Sequence, residues 1–377
     1  MGWLTHQTIL LISPQPWQHV HISKHHYALE LSKNNRVFFL QPPKPGMALA
    51  GPVVEQVELA GHDLSTVTSQ LFFPRSLRFH MLVFYRLLMR VQMRRIIQAI
   101  GGVCDVVWCF DPNSYPDLAG FGARCTLYHP VDKLTQPIHR HIAQQADLIL
   151  APAHTYLDFI DGPELSSKKF FLNHGLSTPF IHAAQVPTDE ASNDSPEKRV
   201  SCGYFGNLTR TEIDVQMMAQ ILGEHPQVAF HFWGPWDLKT PLGQLLDAAD
   251  NVTLHGMVDK SQLAQAIQKM DCFVLSYNND PLKFDRDNPH KVLEYLSTGK
   301  VVVSNHMAEY ADKRSLLCMT EPGQDDQLPA LFRQVIQNLA QHNHPAICRA
   351  RMHYAQKNSY EHHLQQVTRW IELSMEA

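Results

Sequence analysis

Among its seven cysteines the sequence has no CxxC pair, its 23 histidines include no HExxH, and no apolar run approaches the roughly 18 residues of a membrane span. Cys104, Cys109, Cys125, Cys202, Cys272, Cys318 and Cys348 are scattered, mostly in apolar strand-like runs, and read as small buried hydrophobes in a reducing compartment. Without a Cys/His ligand frame, a histidine-rich surface explains the histidines more simply than a metal site. The amino terminus, MGWLTHQTILLIS, lacks the positive region of a signal peptide and its apolar run has strand length, so a cytoplasmic protein is expected. A formal net charge of −4 gives no global reason to expect nucleic acid.

With 377 residues, 44% of them hydrophobic, the chain exceeds one core, and two domains are expected. Strand-like runs alternate with helical patterns: TILLIS (8–13), a helix over about 21–33, RVFFL (36–40), CDVVWCF (104–110), CTLYH (125–129) and DLILA (147–151). Such alternation is the pattern of β/α units on a parallel sheet. PTDEASNDSPEKR (187–199) interrupts it as a Pro-, Ser- and charge-rich linker. The alternation then restarts with VSCGYFG (200–206), a helix over about 212–223, VAFHFWG (228–234), VTLHG (252–256), a helix over about 260–270 and CFVLS (272–276). Domains are expected over 1–186 and 200–355, two doubly wound halves with a ligand cleft between the carboxyl ends of their sheets. A last helix, about 354–375, is expected to cross back onto the first half.

DNPHKVLEYLSTGKVVVS (287–304) carries the densest chemistry. Asn288 can cap a helix, Pro289 suits its first turn and Gly299 its left-handed stop, giving a helix over about 289–298. Its free N–H groups favour an anion, Lys291 adds a mobile cation suited to phosphate, and Glu294 lies on the same face one turn deeper, where a carboxylate can hold a ribose diol. Phosphate at the helix start and ribose one turn in describe a nucleoside diphosphate. An ordinary surface i, i+3 ion pair has the same spacing. GYFGNLTR (203–210) places Gly206 and Asn207 at a strand end with Arg210 beyond, and HFWGP (231–235) and LHGMV (254–258) end two further strands; each is also compatible with plain turn chemistry.

In this order the segments resemble the second domain of retaining glycosyltransferases of the GT-B fold, the large group that transfers sugars from nucleotide donors. YFGNLTRTEID resembles that group's opening strand, glycine loop and arginine, HGMV its base-contacting turn, and NPHKVLEYLSTGKVVVS its P-x-K-x-x-E-Y-x-x-x-G-K-P-V-V signature. The resemblance implies an α/β protein of two Rossmann-like domains facing across a cleft. Glu294 would hold the donor ribose, the turn at Met257 and Val258 the base, and Gly206, Asn207, Arg210, His290 and Lys291 the diphosphate, with Arg210 and Lys291 stabilising the leaving group. In the first half, WQHVHISKHHYALEL (17–31), CTLYHPVDKL (125–134) and FFLNHGLSTPF (170–180) are fainter parallels, which put His25, His129 and Asp132 toward the sugar. Two positions depart from the pattern: Arg286 stands where the broader family has an acid eight residues before the ribose glutamate, and Val301 stands for the usual proline. The expected donor is a UDP or GDP sugar, with no other cofactor and no metal, and the acceptor a glycan or lipid-linked intermediate of cell-surface glycan assembly. A nucleotide-sugar 2-epimerase of the same fold and a catalytically silent glycan-binding scaffold are the alternatives.

LFFPRSLRFHMLVFYRLLMRVQMRRIIQAI (71–100) has Arg75, Arg78, Arg86, Arg90, Arg94 and Arg95 and no acid. A basic amphipathic helix of this kind suits an anionic membrane surface, which places the protein peripherally on the inner face of a membrane. A helix packed on the first domain with its arginines snorkelling to solvent is the other reading. No nucleic-acid-binding module accompanies the stripe.

Overall fold

The computed structural model describes residues 2–131, 138–185, 199–278 and 288–376. Asp132, most of the expected linker (187–198), Asp285, Arg286 and Asp287 lie outside the described residues. Two compact units emerge, Met1–Asn173 with Tyr360–Ala377, and His174–Ser359.

The first unit is built on an eight-stranded sheet ordered Lys169–Phe171, Leu148–Ala151, Cys125–Tyr128, Val106–Cys109, Thr8–Ile12, Arg36–Leu40, Asp63–Thr68 and Val53–Gln56. Neighbours run parallel except Val53–Gln56, which pairs antiparallel with Asp63–Thr68. Helices cover both faces of a parallel sheet, which is why TILLI, RVFFL and VVWC are apolar runs and not alternating ones. Helix Leu82–Ala99 turns Tyr85, Met89, Met93 and Ile96 into this unit's core. The Tyr360–Glu376 helix packs on helix Ser23–Leu31: the buried Tyr27 hydroxyl meets His363 Nδ1 at 2.8 Å, and Trp370 stacks on Phe170.

The second unit has six parallel strands ordered Val252–Gly256, Ala229–Trp233, Ser201–Phe205, Cys272–Leu275, Val301–Ser304 and Cys318–Met319. Connections run outward from Ser201–Phe205 in one direction, then outward from Cys272–Leu275 in the other. The gap between those two strands is the topological switch point, beyond whose carboxyl edge doubly wound sheets hold their ligands.

Three expectations change. Residues 174–185 belong with the second unit, because Leu176, Phe180 and Ala183 are buried in its core and helix Thr178–Gln185 packs on helix Lys260–Ile267. The expected last helix is two, Pro345–Lys357 and Tyr360–Glu376, with the unit boundary falling between them. The helix expected over 289–298 is Lys291–Leu296, and His290, not Asn288, occupies the N-cap position, with helical backbone angles and no side-chain cap. Gly299 does carry the left-handed stop, φ +76°.

Candidate active site

Gly206, Gly234 and Gly256 line the carboxyl edge of the second sheet: the strands before the first two end in register, and a register shift at Phe232/Trp233 sets Gly256 opposite Trp233. Ser201–Phe205 pairs residue for residue with Ala229–Trp233, so Gly206 and Gly234 follow as neighbours. The Gly206 N–H donates to the Trp233 carbonyl (2.9 Å) and the Gly234 N–H to the Gly256 carbonyl (2.8 Å). Gly206 has φ +148°, and a β-carbon there would lie 2.7 Å from Lys291 Nζ. Gly234 has φ +133°, and a β-carbon there would sit 1.8 Å from the Gly206 carbonyl oxygen. Gly206 requires glycine for its backbone angle, and Gly234 for both its angle and the backbone in its way.

Lys291 reaches this edge from the first turn of the helix after the switch point. Its ammonium donates to the Tyr204 hydroxyl at 3.0 Å and lies 4.5 Å from the centre of that ring and 5.9 Å from that of Tyr277. Burial disfavours the charge, but the two phenols more than offset it, so the pKa is raised and the ammonium stays charged. The Tyr295 hydroxyl accepts the Phe205 N–H (3.0 Å), which ties the helix to the same strand end.

Glu294 is buried one turn deeper, and no hydrogen bond to its carboxylate occurs among the described residues. Burial raises its pKa to about 7, against the pull of Lys260 and then Lys291. Lys260, half-buried in the first turn after the Asp259 cap, is in turn lowered by burial and raised by Glu294. His290 is exposed at the surface; desolvation first, then the neighbouring His174, Lys291, Lys260 and Arg210, lower its pKa below the ordinary histidine value. It is therefore a neutral imidazole among cations, with the His174 ring 6.1 Å away. Among the described residues the site gathers Lys291, Lys260 and Arg210 around bare backbone, with the Glu294 carboxylate behind them and Glu212 paired with Arg210.

The other expected residues separate. Arg210 is exposed and bonded to Glu212 at 3.2 Å, and Asn207 closes its own turn by accepting from the Thr209 N–H and hydroxyl. Met257 and Val258 form the turn after Val252–Gly256, with Met257 exposed. His25 is committed locally: buried in the first unit, its Nε2 donates to the Pro16 carbonyl, its Nδ1 accepts from the Ile22 N–H, and burial first among several causes lowers its pKa to about 4. Both ring nitrogens thus brace the loop before helix Ser23–Leu31. His129 is buried at the end of Cys125–Tyr128, where Nδ1 accepts from the Trp108 indole at 3.3 Å. Tyr204, Tyr277, Lys260 and His174 were not singled out by the sequence; the tyrosines look there like strand-end core, and Lys260 like an ordinary first-turn cation.

Residues 199–338 match the family model described as Glycosyl transferases group 1. They form a group 1 glycosyltransferase domain. The chain is also similar over nearly its whole length to solved structures. Sucrose-phosphate synthase from Thermosynechococcus elongatus shares 14% identity at a TM-score of 0.65, covering 99% of this chain and 100% of that one. Anabaena HepE in complex with UDP and glucose shares 14% at 0.66, covering 97% and 100%. A UDP-forming α,α-trehalose-phosphate synthase from Burkholderia vietnamiensis shares 12% at 0.68, covering 99% and 100%. At these identities the likeness establishes the fold, which is GT-B. No curated protein matches the sequence. Among the described residues, no group of three His, Cys, Asp or Glu side chains could hold a metal, and no helix is long and apolar enough to cross a membrane.

Proposed function

We propose that this glycosyltransferase moves a sugar from a UDP or GDP donor to a glycan or lipid-linked acceptor, with retention of configuration, in the assembly of cell-surface glycans. The observation that carries the proposal is the charged Lys291 ammonium held against side-chain-free Gly206 at the switch point, with the Glu294 carboxylate one turn behind. Lys291 neutralises charge developing on the departing diphosphate, with Arg210 and neutral His290 at its rim; Glu294 takes the ribose diol; the turn at Met257 and Val258 meets the base. Fixed positive charge in a partly dry site stabilises a leaving phosphate directly. The departing phosphate can itself take the acceptor's proton on the face it leaves, which gives retention. UDP in complex with HepE, a protein of the same fold, supports UDP as the first nucleotide to try.

A thermal-shift panel of UDP, GDP, ADP and CMP tests the donor assignment, since a ligand that binds only the folded state must stabilise it. One of the two diphosphates expected should raise the melting temperature, and a flat response to all four would remove the basis of the proposal.

Glu294 gives a pH dependence of known sign. Its folded-state pKa is raised to about 7 from 4.5, so below about pH 7 it carries a proton and holds a ribose diol less well. Nucleoside diphosphate affinity should therefore rise through pH 7. Between pH 4.5 and 7 the folded state binds more protons than the unfolded one, so fold stability should fall over the same interval. Titration calorimetry from pH 6 to 8 on the parent and on Glu294→Gln separates the two, because the variant should bind weakly and without that slope; a parental slope retained in the variant would refute the assignment.

Residues 71–100 add a surface to the proposal. While one side of helix Leu82–Ala99 is buried, Phe79, Met81, Leu82, Val83, Phe84 and Leu87 are exposed, as are Arg75, Arg86 and Arg94. Apolar side chains rimmed by arginines fit an anionic bilayer, which supports a peripheral position on the membrane face that carries a lipid-linked acceptor. Vesicles containing phosphatidylglycerol should carry the protein upward in flotation, neutral vesicles should not, and Arg86→Glu with Arg94→Glu should abolish the effect. Equal recovery with neutral vesicles would argue against it.

A further inference from the structure

Lys291 has a long, flexible side chain, yet its ammonium is fixed from three sides. The Tyr204 hydroxyl accepts one of its N–H groups at 3.0 Å, the Tyr204 ring lies beneath it at 4.5 Å, and Tyr277 stands at 5.9 Å. The remaining direction is toward Gly206, where a side chain would intrude to 2.7 Å. Both tyrosines are themselves immobile. Tyr204 is buried in the strand that ends at Gly206 and packs against Phe232 at 5.7 Å. Tyr277 follows the strand on the other side of the switch point, held by its N–H donating to Asn305 Oδ1 (2.7 Å) and by a bridge to Ile213.

We propose that Tyr204 is a positioning residue for the transfer reaction: its hydroxyl anchors Lys291 so that the ammonium is held over Gly206 toward the diphosphate, with Tyr277 as the second wall. The inference rests on the donor reading above and adds the device that orders the cation before the ligand arrives. An ammonium has three donors, so the phenol bond and contacts to a phosphate can coexist. Without the anchor, Lys291 must lose its rotamer freedom on each binding event, which weakens contact to the diphosphate and leaves contact to the nucleoside untouched.

The test is titration calorimetry on the full chain with UDP and GDP, and with uridine and guanosine by competition, for the parent, Tyr204→Phe, Lys291→Ala and the double variant. Tyr204→Phe keeps the ring, and thermal melts check that it folds. Its affinity for the preferred diphosphate should fall about tenfold, the cost of ordering one long side chain on binding, with nucleoside affinity unchanged. The double variant should bind no more weakly than Lys291→Ala, because the phenol acts only through the lysine. Parental diphosphate affinity in Tyr204→Phe, an equal loss for diphosphate and nucleoside, or full additivity in the double variant would each overturn the positioning role while leaving the donor site standing. Absence of diphosphate binding by the parent would instead overturn the donor reading and this inference with it.

Discussion

Lys291→Ala should lower turnover with the donor about 10²–10³-fold, the cost of removing one fixed donor from developing negative charge. The loss should be large because the charge is ready in place: the two phenols keep the ammonium protonated despite burial, and Gly206 leaves space open in front of it. Lys291→Arg should rescue little. A planar guanidinium is bulkier than an ammonium, and the space beside Gly206 already brings Nζ to 2.7 Å of where a β-carbon would be. Single-turnover transfer measured beside thermal melts separates a catalytic loss from a folding one. A folded alanine variant with parental turnover would show that Lys291 does not face the leaving group.

Much of this site was legible because parallel strands buried on both faces must be apolar throughout, and because strand-end glycines mark where backbone can approach a ligand. RVFFL consequently has its expected limits, 36–40. What remained hidden depended on tertiary contact. Lys260 and Glu294 influence each other only because the turn after Val252–Gly256 comes beside the helix beyond the switch point. Tyr204 resembles any strand aromatic until the fold lays Lys291 over its ring. Asn288 had the chemistry of a cap, but the helix begins later, at a His290 whose backbone is already helical. His25 illustrates the reverse case: a histidine near a helix start suggests a ligand, and the loop 16–22 consumes both its nitrogens. Position along the chain carries no record of which partner a side chain will find.

Gly234→Ala should damage the molecule more broadly than any side-chain deletion in the site. Its β-carbon would fall 1.8 Å from the Gly206 carbonyl oxygen and 2.8 Å from the carbonyl carbon, so the clash is with backbone and no rotamer relieves it. The residue would also be held at φ +133°, which an L side chain rarely adopts. Strain of this kind together with a forced backbone shift should cost about 2–4 kcal/mol. In a unit of this size that lowers the melting temperature by roughly 5–15 °C. Relief would come by moving the Gly206 loop, and Gly206 is the floor on which Lys291 presents its charge, so nucleoside diphosphate affinity should fall even where the variant is folded. Calorimetric melts and diphosphate titration on the same preparation measure both effects. Parental stability and parental affinity together would mean that the two strand ends are not in the close contact on which the site is built.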